Sequence, residues 1–96
     1  KRPLVMTLDL DNNMEILLKV SGGDLKKDFE VKVPAKASDG SWDAESLEGK
    51  LTDITARWSN LSEVSVSAGA NVKYKELVNV INTTQKTLPK VYISGG

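Results

Sequence analysis

The stretch Ser62-Glu-Val-Ser-Val-Ser-Ala-Gly-Ala-Asn-Val-Lys-Tyr-Lys-Glu-Leu-Val-Asn-Val-Ile-Asn-Thr-Thr-Gln85 decides the fold, because its apolar period changes in the middle. Val64, Val66 and Ala68 alternate with Glu63, Ser65 and Ser67, the two-residue period of a strand with one buried face. Gly69, Ala70 and Asn71 break that pattern. Tyr74, Leu77, Val78 and Ile81 then follow at the i, i+3, i+4, i+7 spacing of an amphipathic helix over about 72–86. A strand that runs into a helix in this way is half of a βαβ unit.

Reading outward, Leu88-Pro89 closes the helix, since a residue before proline disfavours helical geometry. Lys90 to Ser94 then forms a last strand with Val91 and Ile93 inward. Upstream, Asp43 is a good N-cap, Glu45 suits the positive end of a helix, and Trp42 stands where a staple residue would. Leu47, Leu51, Ile54 and Trp58 make one helical stripe that ends near Ser59-Asn60, with Gly49 off the stripe. Phe29, Val31 and Val33 alternate as a strand that Pro34 ends. Leu4, Met6, Leu8 and Leu10, then Met14, Ile16, Leu18 and Val20, alternate on either side of Asp11-Asn12-Asn13. They predict a hairpin over 4–20 whose turn places an asparagine at positive φ. Val5 and Leu17 suggest that the second face of this hairpin is partly covered.

The order is β-β-β-α-β-α-β in one domain over 1–96. The expected α+β fold is a small mixed sheet of about five strands with both helices on one face. Right-handed crossovers make strands 29–33, 62–68 and 90–94 mutually parallel.

Composition narrows the function. Hydrophobic residues make up 40% and charged residues 27% of 96, which suits one globular core. Thirteen basic and thirteen acidic residues give zero net charge, which argues against nucleic acid as a partner. The Lys26-Lys27 pair is flanked by Asp24 and Asp28. Cysteine and histidine are both missing, which removes disulfides, thiolate metal sites, the usual zinc ligand and the usual base for a nucleophilic serine. No run of apolar residues is long enough to span a membrane. The abrupt Lys1-Arg2-Pro3 start reads as that of a fragment.

Candidate chemistry is sparse. Asp9, Asp11, Asn13 and Glu15 alternate as a calcium loop begins, but Met14 and Val20 stand where an EF-hand needs glycine and glutamate. Ser65, Ser67 and Ser94 have no histidine to activate them, and Asp43, Glu45, Glu48 and Asp53 are spread around one helix. Gly22-Gly23 leads into no phosphate-binding helix. Asn60-Leu61-Ser62 and Asn82-Thr83-Thr84 are glycosylation triplets by pattern alone. Trp42 and Trp58 are expected to close the two ends of the core, Trp58 the more deeply; the other reading sends Trp42 toward a partner. The expectation is therefore no enzyme, no catalytic or metal-binding residues and no cofactor. A small sheet leaves edges, and the terminal strand Lys90-Val91-Tyr92-Ile93-Ser94 is the expected dimer or partner surface.

Val64-Ser65-Val66-Ser67-Ala68, Val72-Lys73-Tyr74 and Leu77-Val78-Asn79-Val80-Ile81 resemble the periplasmic domain of the ExbD/TolR family of biopolymer transport proteins. The likeness is detailed over about 30 residues and holds in outline for the rest, with Ala68, Val72, Tyr74 and Leu77 at the motif positions. Gly69 replaces an acid, Lys73 an acid or proline, and Leu88-Pro89 a glycine, while segment 22–41 is longer than in common members.

The resemblance implies a bacterial inner-membrane protein with one transmembrane helix and this domain in the periplasm. It implies a homodimer, an ExbB/TolQ-like channel subunit met through the transmembrane helix, and a TonB/TolA-like transducer or peptidoglycan as further partner. The function it implies is coupling the proton motive force to transport or envelope work. Tyr74 is expected to be structural, in the first turn of its helix against the sheet. The rival expectation is a generic small periplasmic binding domain, such as a lobe of a solute-binding protein or a secretin-like ring module.

Overall fold

A computed structural model describes residues 3–23 and 25–93. Seven elements follow in order: β1 (Leu4–Leu10), β2 (Ile16–Gly22), β3 (Phe29–Val33), α1 (Ala44–Arg57), β4 (Glu63–Ala68), α2 (Tyr74–Gln85) and β5 (Lys90–Ile93). They form the expected α+β architecture, one mixed five-stranded sheet with two helices. Ser94, expected to end the last strand, lies outside the described residues.

The sheet order is β3-β2-β1-β4-β5. β1 pairs antiparallel with β2, from Leu4↔Gly22 to Leu10↔Ile16, and β2 pairs antiparallel with β3. β4 then pairs parallel with β1, from Met6↔Val64 to Leu10↔Ala68, and β5 parallel with β4. Strands β3, β4 and β5 therefore run in one direction, as the crossover rule requires. The connection through α1 passes over both strands of the hairpin to place β4 against β1.

One face of this sheet carries the core. Met6, Leu8 and Leu10 of β1, Ile16, Leu18 and Val20 of β2, Val33 of β3, and Val64 and Val66 of β4 are buried against Leu47, Leu51 and Ile54 of α1 and Val80 of α2. The other face carries Thr7, Asp9, Lys19, Glu30, Lys32, Ser65 and Ser67 in register. This corrects the expectation that Val5 and Leu17 mark a covered second face: Val5 is 46% exposed, and both helices pack on the opposite side. Two apolar residues in a polar face are ordinary and require no cover.

The β1–β2 connection differs in one detail. Its positive φ falls on Met14 (+64°) rather than on an asparagine. Asp11 explains the shift: its Oδ1 accepts from the Asn13 and Glu15 amides at 2.8 and 3.0 Å, so the asparagines serve the turn in ordinary conformations.

The helix stripes also sharpen. In α1, Asp43 caps the helix as expected, accepting from the Ser46 amide at 3.1 Å. In α2 the buried residues are Val80 and Thr84, with Leu77 and Ile81 packed beside them. The stripe runs 77, 80, 81, 84 and leaves Tyr74 out. Thr84 is tolerated in the core because its hydroxyl donates to the Val80 carbonyl at 2.8 Å. The tryptophans reverse roles. Trp42 is buried and donates from its indole Nε1 to Glu76 Oε1 at 3.3 Å, tying the loop before α1 to α2. Trp58, just past α1, is half-buried against Phe29.

Two substitutions test this packing. Leu18→Ala, in the middle of the buried row, is expected to lower unfolding free energy by about 2–5 kcal/mol in urea titration. Gly22 has φ +91°, and a Cβ there would stand 2.2 Å from the Pro3 carbonyl oxygen. Gly22→Ala is therefore expected to destabilise by at least ~1 kcal/mol in the same measurement.

Candidate functional site

The two edges of the sheet differ in chemistry. β3 presents Glu30 and Lys32 to solvent, with ion pairs at Lys19–Asp28 (3.2 Å) and Lys32–Glu15 (3.7 Å) near it, and Pro34 stops it. Charges and proline on an edge discourage pairing with another chain. β5 carries no such protection beyond Lys90. Val91 is half-buried, while Tyr92 and Ile93 are 55% and 59% exposed. β5 bonds to β4 on one side only, through Glu63↔Lys90 to Val66↔Ile93, so its other side offers main-chain donors and acceptors. Thus Lys90, Val91, Tyr92 and Ile93 are brought together as one largely apolar edge that, among the described residues, is paired on one side only.

A hollow of about 270 Å³ adjoins this edge on the open face of the sheet. Val5 and Tyr92 flank it, with the small Ser65 between them and Glu63 nearby. It arises because β4 places serine between two larger neighbours.

The family-motif positions do not form one site. Ala68, Val72 and Leu77 are half-buried, where β4 turns into α2. Tyr74 is 73% exposed, which corrects its expected place against the sheet. Tyr74 is the first residue of α2, a turn before Leu77, which is where the helix first packs on the core. Lys73 starts the helix without any side-chain cap.

The turn after β4 holds a contact that sequence reasoning missed. The Asn12 side chain, from the β1–β2 turn, lies directly over Gly69, and its Oδ1 accepts from the Asn71 amide at 3.0 Å. A Cβ at position 69 would stand 2.3 Å from that oxygen. Asn12 thus supplies a polar oxygen to this corner from another turn. The glycine was the visible signal; its partner, 57 positions away in sequence, was not.

Beside this corner, Ser67 Oγ donates to Asp9 Oδ1 at 2.9 Å across the parallel pair. Asp11 is occupied within its own turn. Asp43, Glu45, Glu48 and Asp53 belong to α1, where Asp43 caps and Glu48 meets Lys86 at 3.0 Å. Among the described residues, no group of three or more His, Cys, Asp or Glu side chains is placed to hold a metal ion. Also among them, no helix is long and apolar enough to cross a membrane. Hydrogen bonds from the Ser46 amide and hydroxyl hold the Asp43 carboxyl below its usual value.

Two predictions follow the corner and the cap. Gly69→Asp is expected to displace Asn12 and lower the thermal midpoint, and Asn12→Gly in the same chain is expected to restore part of the loss. Asp43 binds its proton less readily folded than unfolded, so its stabilisation is present above the ordinary carboxylate value and lost as pH falls through the lower folded one. Asp43→Asn keeps an oxygen at the cap and is expected to flatten the loss of stability between pH 5 and pH 2, as ~ranges of a carboxylate titration, measured by denaturant titration.

No family model matches the sequence, and no curated protein does either. Solved structures do resemble the fold. RuvC from Thermus thermophilus superposes with a TM-score of 0.64 at 14% identity, covering 97% of this chain and 64% of that one. A Bacteroides thetaiotaomicron protein with an actin-like ATPase fold and unknown function superposes with a TM-score of 0.55 at 14% identity, covering 95% of this chain and 32% of that one. The chain spans less than two thirds of the length of either structure. These likenesses correct the expectation of no enzyme: the chain shares its fold with RuvC and with a protein described as having an actin-like ATPase fold, and a missing histidine does not decide the class.

Proposed function

We propose that this chain is the periplasmic interaction domain of an inner-membrane, proton-driven energy-transduction complex of the ExbD/TolR kind, and that β5 is its contact strand. The observation that carries the reading is the contrast between the two sheet edges. β3 is guarded by charges and proline, whereas β5 exposes Tyr92, Ile93 and one side of its backbone. Strand addition at such an edge draws its affinity from main-chain hydrogen bonds and its selectivity from alternate side chains. The motif at Val64–Ile81 supports the same lineage and suggests the partners: a second copy, an ExbB/TolQ-like channel reached through a transmembrane helix, and a TonB/TolA-like transducer or peptidoglycan. The domain's task in that setting is to hold a partner while proton flow through the channel moves the membrane segment.

A second reading rests on the shared fold and on Asp9. In open α/β sheets, ligands gather beyond the carboxyl ends of parallel strands. Asp9 and Ser67 meet at that end of β1 and β4. On this reading the chain acts on a ligand there, and Asp9→Asn abolishes whatever nucleic-acid or nucleotide hydrolysis the wild type shows.

The first reading is tested by sedimentation equilibrium over a range of concentrations. The wild type is expected to self-associate, and Ile93→Asp, which sets a charge on the free edge, to stay monomeric with an unchanged circular dichroism spectrum. Equal association by both would remove β5 from the account.

A further inference from the structure

We infer that Asp39–Gly40 is the site at which this chain rearranges to isoaspartate through a succinimide ring, and that Ser41 and the Lys36 carbonyl hold the reaction back while the turn is folded. Asp39 is the only aspartate followed by glycine in the sequence, and no asparagine is followed by one. Glycine matters because it has no side chain to shield its amide nitrogen from the carboxyl carbon before it. The pair lies in the loop between β3 and α1, and both residues are exposed. Gly40 has φ +74°, and a Cβ there would meet nothing within 4 Å, so the turn is open to water on that side.

The reaction needs no co-reactant but water. The Gly40 amide nitrogen attacks the Asp39 carboxyl carbon, a nitrogen–carbon bond forms, and the amide hydrogen leaves with a carboxyl hydroxyl as water. Water then adds to either carbonyl of the ring. Opening at the side-chain carbonyl restores aspartate. Opening at the main-chain carbonyl leaves the backbone running through the Asp39 side chain, one carbon longer.

Two features of the turn oppose the first step. The Gly40 N–H donates to the Lys36 carbonyl at 2.9 Å, which keeps the hydrogen on the nitrogen that must lose it. Asp39 Oδ1 accepts from the Ser41 hydroxyl at 2.7 Å and from the Ser41 amide at 3.0 Å, the turn an aspartate makes with the residue two places on. These bonds, the hydroxyl's foremost, hold the Asp39 carboxyl below its usual value. A carboxylate is a poorer target than the neutral acid, because its leaving oxygen carries no proton. The Lys36 amide donates to the Ser41 carbonyl at 2.7 Å and closes the turn on itself. The loop then runs into Trp42, whose indole is tied to Glu76 at 3.3 Å, so an extra backbone carbon at residue 39 enters shortly before that tie.

The test incubates the 96-residue chain near neutral pH, folded and in urea, and locates isoaspartate by peptide mapping with electron-transfer fragmentation, which separates it from aspartate at equal mass. Isoaspartate is expected at residue 39 in urea, and at least tenfold more slowly in the folded chain. Ser41→Ala, with an unchanged circular dichroism spectrum, is expected to speed the folded reaction at least threefold and to match the wild type in urea. Ser41→Thr keeps both the hydroxyl and the amide and is expected to react as slowly as the wild type. No isoaspartate at residue 39 in urea, equal rates folded and unfolded, a folded Ser41→Ala that reacts no faster than the wild type, or a Ser41→Thr as fast as Ser41→Ala would each overturn the proposal.

Discussion

The parallel pairing of β1 with β4 is the contact on which the rest of the molecule depends. It joins residues nearly sixty positions apart, Met6↔Val64 through Leu10↔Ala68, at the centre of the sheet. On its buried face Met6, Leu8, Leu10, Val64 and Val66 form a continuous apolar floor. Both helices rest on that floor, since neither hairpin nor βαβ half could bury its own apolar face alone. Once β4 is beside β1, the hairpin must extend the sheet on one side and β5 on the other. The free edge is thus a consequence of where the central pair forms.

The same pairing builds the polar corner. Gly69 continues the ladder by one bond, its amide donating to the Leu10 carbonyl at 2.8 Å. That bond brings the β1–β2 turn against the β4–α2 turn, so Asn12 can reach the Asn71 amide. The serine-to-aspartate bond one step back lies on the open face of the same two strands. Buried cohesion and exposed polar chemistry therefore sit on opposite faces of one pair of strands. An interaction module and a ligand-binding enzyme fold can both be drawn from such a frame. What favours the first is the edge: a backbone row left unpaired beside Tyr92 and Ile93, while the other edge is defended.

Much of the fold was legible in the residues because period and punctuation agreed. Alternation in 4–10, 16–20, 29–33 and 64–68, proline at 34 and 89, and the Asp43 cap are local signals, and each marks an element that forms. What was not legible depends on contacts distant in sequence. The full stripe of α2 could not be read, because Thr84 looks polar until its hydroxyl is seen bonded to the preceding turn, and spacing alone does not show that the first residue, Tyr74, lies beyond the packed part of the helix. Trp42 reads from the sequence as closing one end of the core, but no local signal shows that Glu76 stands opposite its indole. The Arg57–Phe29–Trp58 stack joins β3 to the end of α1, and no spacing rule announces it. As for the site, the edge strand was legible from its terminal place and composition, whereas the corner at Asn12 and Gly69 was not. Expecting no enzyme from a missing histidine relied on residue types alone, and the likeness of fold runs against it.

The central claim is that β5 completes its hydrogen bonding with another chain. Amide hydrogen exchange across Lys90–Ile93, followed in dilute and in concentrated samples, measures this directly. The amides on the free side are expected to exchange at nearly unprotected rates when the chain is dilute, and to slow by at least tenfold as it is concentrated, while the amides of β3 stay unchanged. Equal exchange at both concentrations, or protection that grows along β3 instead, would contradict it.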